Sequence, residues 1–157
     1  MNVGVIGEGE YSFTDLLALY IKKGTFLPEE LQKIKGIVFY KDGKLLETSI
    51  PKERLAIDEF PHPKRSLIGY SHRGHVYTAR GCPYNCIFCA CTRFWGKVRY
   101  ASPEYILKEV QELIEHGAKV IRFCDENFVV NTKRLFEIAY LYVEDESHNS
   151  SWETIGL

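Results

Sequence analysis

The chain has 157 residues, 45% of them hydrophobic and 26% charged, which is typical of a globular protein and excludes a disordered one. Its formal net charge of −1 gives no indication of a nucleic-acid or anionic-membrane partner. No apolar run reaches the roughly 20 residues that cross a bilayer, and the N-terminus lacks the pattern of a secretory signal, so the sequence predicts a cytoplasmic protein without a membrane span.

The N-terminal residues predict a strand followed by a helix. Residues 3–6 are expected to form a short buried strand, and the glycine-rich turn 7–10 follows it. Apolar periodicity predicts a helix from Ser12 or Thr14 to about Lys22. The helix is expected to bury one apolar face, formed by Phe13, Leu16, Leu17, Tyr20 and Ile21.

A hairpin and a connector follow this helix. Residues 37–40 are rich in β-branched and aromatic side chains and predict a strand. The Asp42-Gly43 pair predicts a tight turn into a returning strand at residues 45–49. Residues 51–66 contain three prolines among charged residues, which indicates a connector and a domain boundary near residue 65.

Residues 66–157 alternate between strand and helix patterns. Strands are predicted at residues 75–79 and 119–123, and a third strand is predicted to begin at Trp152. Ser102 is expected to cap one helix, which ends at Gly117, and Asn131 to cap the next, which runs to about Val143. Alternation at this spacing predicts βαβ units around a parallel sheet, and therefore an α/β fold.

The cysteines are the strongest chemical signal in the sequence. They lie at positions 82, 86, 89, 91 and 124. An odd number with four members clustered is a poor disulfide framework, and in a reducing compartment such clustering indicates metal binding. The cluster also follows a predicted parallel strand, where βα loops carry chemistry.

Three of these cysteines have the spacing C-x3-C-x2-C: Cys82, Cys86 and Cys89. Three thiolates can hold three irons of a [4Fe–4S] cube and leave the fourth iron open to a ligand. A structural zinc site and redox-active thiols are the alternatives. Zinc sites usually combine two C-x2-C pairs, or a cysteine pair with histidines, and this sequence has neither arrangement at a useful distance.

The cysteine triplet, with Phe88 before its last member, resembles the signature of the radical S-adenosylmethionine superfamily. The resemblance implies that Cys82, Cys86 and Cys89 bind a [4Fe–4S] cluster whose open iron chelates S-adenosylmethionine. It implies reductive cleavage of that cofactor to a 5′-deoxyadenosyl radical, with an electron donor such as ferredoxin or flavodoxin. Phe88 matches the aromatic position whose backbone lies near the adenine.

Further cofactor contacts are implied by the same resemblance. Asp125 and Glu126 follow the second strand, where the superfamily commonly has a group that binds the amino group of S-adenosylmethionine; the alternative is a solvated turn. Arg99 could meet the cofactor carboxylate or be an ordinary exposed arginine. Cys91 has no place in the three-ligand pattern, and Cys124 is most simply a buried small hydrophobe. The sequence identifies no catalytic residue.

Two N-terminal segments resemble one subgroup, in which a Rossmann-like cobalamin-binding domain precedes the radical domain. They are the Gly-Glu-Gly-Glu turn at residues 7–10, which alone could be a simple strand-to-helix turn, and Asp-Glu-Phe-Pro-x-Pro at residues 58–63. The resemblance implies that residues 1–65 are the C-terminal remnant of that domain, with a β-hairpin and a connector. Residues 66–157 would then be the first two to three βα units of a (β/α) barrel.

A complete eight-unit barrel takes about 250 residues, so this chain is expected to be a fragment, truncated at both ends, or the product of a degenerate gene. The cobalamin motif Asp-x-His-x-x-Gly does not occur in it, and cobalamin is therefore expected only in a full-length parent. The leading hypothesis is a piece of an enzyme for radical methylation, rearrangement or cyclisation of an unidentified substrate. The alternative is a non-catalytic iron–sulfur or zinc-binding module.

Overall fold

The computed structural model describes residues 2–51, 54, 56–67, 69, 72–144 and 151–154. The chain divides into two compact units, an N-terminal unit of Met1–Arg54 and a C-terminal unit of Leu55–Leu157. This division precedes the predicted boundary near residue 65 because the connector packs on the C-terminal unit. Ile57 lies in the core of that unit, and Arg65 forms a buried ion pair with Glu109.

The N-terminal unit is a three-stranded antiparallel sheet with helices. Its elements are β1 (Val3–Val5), α1 (Glu10–Lys23), α2 (Pro28–Leu31), β2 (Ile37–Lys41) and β3 (Lys44–Glu47). The strand order is β1–β2–β3, and both pairings are antiparallel. Asp42 and Gly43 connect β2 to β3 with φ angles of 49° and 74°, as a type I′ turn requires, so the predicted hairpin is confirmed.

The predicted apolar face of α1 is wrong except at Leu16. Ser12 and Leu16 are the buried residues of this helix, whereas Phe13 is 61% and Ile21 76% exposed. The helix is oriented by the Ser12 hydroxyl, which donates to the Lys35 carbonyl at 2.7 Å. Antiparallel pairing does not by itself indicate a Rossmann-like domain, and that assignment stays a prediction.

The C-terminal unit has parallel strands joined by helices. Its elements are β4 (Arg73–Val76), β5 (Ala79–Arg80), α3 (Cys91–Trp95), β6 (Arg99–Tyr100), α4 (Pro103–Glu115), β7 (Val120–Phe123), α5 (Thr132–Glu144) and β8 (Ser151–Thr154). Strands β4, β7 and β8 form a parallel sheet in the order β4–β7–β8. The predicted parallel sheet and third strand are confirmed; residues 155–157 lie outside the described residues.

Both predicted helix caps are present. The Ser102 hydroxyl accepts a hydrogen bond from the Tyr105 N–H at 3.1 Å, and the Asn131 side chain accepts one from the Arg134 N–H at 3.2 Å. Helix α4 buries Ile106, Val110 and Leu113 in a core that also contains Ile121, Phe123, Phe128 and Ile138. Within the described residues, no helix is long and apolar enough to cross a membrane.

Candidate iron–sulfur site

The cysteines lie on a loop at the carboxyl edge of the parallel sheet. After β4 the chain turns through Thr78 into β5, runs through residues 82–98, and returns as β6. We call residues 82–98 the cluster loop. Strands β5 and β6 close it as an antiparallel ladder in which Ala79 pairs with Tyr100, and we call residues 78–80 and 99–101 the base of the loop.

The three predicted ligands are free thiols. Cys82 is half-buried, whereas Cys86 and Cys89 are exposed. The Cys89 N–H donates to the Cys86 carbonyl at 3.0 Å, and the Cys91 N–H points to the Cys89 sulfur at 3.4 Å. These contacts fix the backbone around the third predicted ligand and leave its sulfur exposed.

This donor set fits an iron–sulfur cluster by chemistry and by access. Among the described residues, no three cysteine, histidine or acidic side chains converge closely enough to hold a single metal ion. Residues 83–90 are all exposed, so the loop can gather its thiols around a larger inorganic core without moving buried side chains. Three soft thiolates match a cube with one open iron.

Glycine is required where the chain leaves the base for the cluster loop. Gly81 has a φ of 97°, and a Cβ there would lie 3.2 Å from Trp95 Cβ. Trp95 of α3 packs against Arg80, whose guanidinium lies 5.4 Å from the Trp95 ring centre and 5.0 Å from that of Phe60. The first turn of the loop is thereby fixed between α3 and the connector.

The predicted cofactor contacts Phe88 and Arg99 lie on or beside this loop. Phe88 precedes the third cysteine and is 90% exposed, so its ring is available to a ligand. Arg99 is half-buried and lies where the loop re-enters the ladder, paired with Arg80. Phe88 thus lies on the cluster loop, and Arg99 lies in its base.

The predicted acidic pair separates into a buried and an exposed member. Asp125 is only 5% exposed; its Oδ1 accepts hydrogen bonds from the Thr78 N–H at 2.6 Å and the Ala79 N–H at 3.0 Å. Its Oδ2 accepts from the Thr78 hydroxyl. Burial raises the pKa of Asp125 above its ordinary value, although these three donors and Arg134 act in the opposite direction.

Glu126 is exposed and lies beside the cysteines. The pKa of the Cys91 thiol is raised to about 11, first by burial and then by the nearby Glu126 carboxylate and the sulfurs of Cys82 and Cys89. Cys91 is therefore a neutral thiol at physiological pH. Its environment also shows that Glu126 belongs to the same neighbourhood as two of the predicted ligands.

Arg134 is a further residue of the site that the sequence did not reveal. It is 8% exposed, and its guanidinium donates to the Thr78 hydroxyl at 2.9 Å and the Thr78 carbonyl at 2.7 Å. It also donates to the Ala101 carbonyl at 2.9 Å and 3.2 Å. One signal could have indicated it, because Arg134 precedes the buried Ile138 by four residues and so shares the apolar face of α5.

The fold and the cysteine loop together define the class of protein. The sequence model of the Radical SAM superfamily matches residues 76–157, which is more than half of the chain, and the chain therefore belongs to this superfamily. Membership of this superfamily confirms, at the level of the family, the predicted use of S-adenosylmethionine and an iron–sulfur cluster. Which residues hold these cofactors stays a prediction.

Two curated relatives match nearly the whole chain. An uncharacterised methyltransferase of Pyrococcus horikoshii is 34% identical over 158 residues, covering 94% of this chain and 33% of the relative. The anaerobic magnesium-protoporphyrin IX monomethyl ester cyclase of Cereibacter sphaeroides is 26% identical over 149 residues, covering 87% of this chain and 24% of the relative. The chain thus spans a third or less of these relatives.

The fold is also that of a solved radical S-adenosylmethionine methyltransferase, TsrM of Kitasatospora setae. Its structure with tryptophan and a cofactor analogue matches with a TM-score of 0.64 at 18% identity, over 94% of this chain and 30% of that protein. A second TsrM structure, with cobalamin and a [4Fe–4S] cluster bound, gives a TM-score of 0.63 at 16% identity, over 94% of this chain and 31% of that one. The predicted α/β fold with a partial barrel is confirmed.

Proposed function

We propose that this chain carries the cluster-binding part of a radical S-adenosylmethionine enzyme, with Cys82, Cys86 and Cys89 as the iron ligands. One observation carries the proposal: three free thiols share an exposed loop whose two ends are fixed at the carboxyl edge of a parallel sheet. When bound, the cluster supplies the electron that cleaves S-adenosylmethionine. The protein's part is to hold the thiolates and to keep one iron open.

We propose Glu126 as the residue that binds the amino group of S-adenosylmethionine. Its carboxylate is exposed and lies near Cys91, which is two residues past the third predicted ligand, and a carboxylate is a strong acceptor for an ammonium group. Asp125 is buried and already accepts three hydrogen bonds, so we propose a role beneath the loop for it, and its contact with the cofactor stays a prediction. Arg99 is proposed for the cofactor carboxylate and Phe88 for the adenine, on the strength of their positions.

For the full-length parent we propose radical methylation or cyclisation of an organic substrate. The relatives are named as a methyltransferase and a cyclase, and TsrM is a methyltransferase solved with tryptophan and with cobalamin. A cobalamin-binding domain in the parent is consistent with these names. Reduction by ferredoxin or flavodoxin, and a cytoplasmic location, complete the proposal.

Anaerobic reconstitution of the chain with iron and sulfide tests this function. We expect visible absorption and a paramagnetic resonance signal of a reduced cluster, a change in that signal when S-adenosylmethionine is added, and formation of 5′-deoxyadenosine with a reductant. The variant Cys82→Ala/Cys86→Ala/Cys89→Ala should lose all three results. Cys124→Ala should keep them, because Cys124 lies outside the cluster loop.

Two outcomes would contradict the proposal in different ways. A cluster whose spectrum ignores S-adenosylmethionine would leave a non-catalytic iron–sulfur module. Uptake of zinc with no iron would reject the cluster itself. For the cofactor contact, Glu126→Gln should keep the cluster and weaken the response to S-adenosylmethionine, whereas Glu115→Gln on α4 should change neither.

A further inference from the structure

We infer that Arg134 and Asp125 are positioning residues that hold the base of the cluster loop in place before any cofactor binds. The inference rests on the proposed function of the loop and goes beyond it. The two side chains come from different elements, α5 and the segment after β7. Both make hydrogen bonds to residues of the base. Neither is proposed to touch the cluster.

Asp125 fixes the strand that leads into the loop. Its three hydrogen bonds all go to Thr78 and Ala79, which are the last residues before Arg80 and Gly81. The Cys124 N–H also donates to the Val76 carbonyl at 2.9 Å. The end of β7 thus holds the chain at the point where it leaves the parallel sheet.

Arg134 connects the two sides of the base. The Ala101 N–H donates to the Thr78 carbonyl at 2.9 Å, and the guanidinium donates to that carbonyl and to the carbonyl of Ala101 itself. The guanidinium also lies 5.1 Å from the ring centre of Tyr100. A planar group with several donors in fixed directions can hold both sides of the base at once, whereas the single ammonium of a lysine lacks that fixed geometry.

The Thr78 hydroxyl joins the two charges into one network. It donates to Asp125 and accepts from Arg134, so a single position of the hydroxyl hydrogen satisfies both contacts. Buried charges of this kind usually give less stability than apolar side chains of similar size. The chain nevertheless buries them directly beneath the loop, and their seven hydrogen bonds fix geometry in a way that apolar packing does not.

The experiment compares variants of the full chain in two measurements. Arg134→Met removes the contacts, Arg134→Lys keeps the charge without the planar group, and Lys133→Met is the control, since the Lys133 side chain is 89% exposed on the same helix. Amide hydrogen exchange is measured on the metal-free chain, and cluster affinity on the anaerobically reconstituted chain. Thr78→Val and Thr78→Ser form a second pair, which decides the question should Arg134→Met fail to fold.

We expect Arg134→Met to accelerate exchange selectively at residues 78–80 and 99–101 and to weaken cluster binding by about tenfold, the lower end of what loss of an outer partner costs a metal site. The exchange rates and the cluster affinity of Arg134→Lys should lie between those of Arg134→Met and the wild type. Thr78→Val should resemble Arg134→Met, and Thr78→Ser should resemble the wild type. Lys133→Met should change neither measurement.

The possible results separate this inference from the proposed function. A wild-type cluster that responds to S-adenosylmethionine, with Arg134→Met equal to wild type in both measurements, would overturn the inference and leave the function intact. Faster exchange throughout the C-terminal unit would overturn it too, because Arg134 would then be an ordinary core residue. Should the wild type bind no iron, the proposed function fails, and the exchange pattern alone decides whether Arg134 holds the base.

Discussion

The N-terminal and C-terminal units bury different kinds of side chain. In the N-terminal unit the core is apolar and is formed by Leu16, Leu31, Ile34, Ile37 and Phe39. Among the described residues of this unit, the buried polar side chain is that of Ser12, which carries no charge. The C-terminal unit has a larger apolar core and also buries Glu109, Asp125 and Arg134. Within the part of the chain that the structure describes, buried charged side chains therefore occur only in the unit that carries the cysteines.

The two sheets explain this difference. Antiparallel strands joined by a tight turn form their pairings locally, and the N-terminal sheet needs little beyond apolar packing to fix its register. The parallel strands β4 and β7 end at the same edge, and a long loop leaves from that edge. Holding such a loop requires directional contacts, and hydrogen bonds to buried charged groups supply them at a cost in stability.

Truncation of the largest buried side chain in the N-terminal core should give the largest effect on stability. Phe39 is 1% exposed, and Phe39→Ala should lower the free energy of unfolding by about 3–5 kcal/mol. Hydrogen exchange at residues 37–41 measures this change. Leu17→Ala, at a side chain that is 48% exposed, should stay within about 0.5 kcal/mol. Loss of cluster binding in Phe39→Ala would show that the two units do not have separate roles.

Breaking the buried network should come next. Asp125→Asn puts an amide in place of the carboxylate that accepts from the Thr78 hydroxyl and from two backbone N–H groups, so one buried hydrogen bond is left unmade and we expect a loss of about 2 kcal/mol. A urea titration followed by tryptophan fluorescence measures it, because both tryptophans, Trp95 and Trp152, lie in the C-terminal unit. The exposed Glu126→Gln is the matched control. Equal stability of Asp125→Asn and wild type would contradict the importance given to the buried hydrogen-bond network.

The helix cap at Ser102 should have a smaller effect. Ser102→Ala removes the acceptor for the Tyr105 N–H, and the expected loss is about 1 kcal/mol in the same urea titration. Ser102→Asp retains a cap and should recover most of that loss. A loss of stability as large as that of Asp125→Asn would mean that a local helix cap contributes as much to the C-terminal unit as the buried network does.

The pH dependence of Asp125 should be the smallest effect. Its pKa is raised in the folded chain, chiefly by burial, so the folded state holds its proton to a higher pH than the unfolded state, whose carboxyl titrates near pH 4. The stability that this group contributes is present in full below that pH and is lost as the pH rises through the folded pKa. Urea titrations at several acidic pH values should show this fall in wild type relative to Asp125→Asn. If the stability of wild type relative to Asp125→Asn instead increased with pH, the prediction would be contradicted.

Local rules were sufficient for many elements of the fold. The Asp42-Gly43 turn, the Ser102 and Asn131 caps and the parallel β4–β7 pairing were all predicted, because each depends on residues a few positions apart or on the alternation of short segments. The cysteine spacing likewise indicated the family that the comparison over residues 76–157 shows. A short motif of this kind can be recognised from the sequence without knowledge of its structural environment.

Other features depended on partners far away in the chain. Asp125 meets Thr78 across 47 positions, and Arg134 meets it across 56, so no nearby pattern could show that Asp125 turns inward while Glu126 stays at the surface. The burial of Ser12 rather than Phe13 also follows from a distant partner, the carbonyl of Lys35. The sequence by itself determined the cysteine spacing from which Cys82, Cys86 and Cys89 are predicted as cluster ligands. Only the tertiary structure decided what supports their loop, because burial and hydrogen bonding are set by residues that the fold brings together.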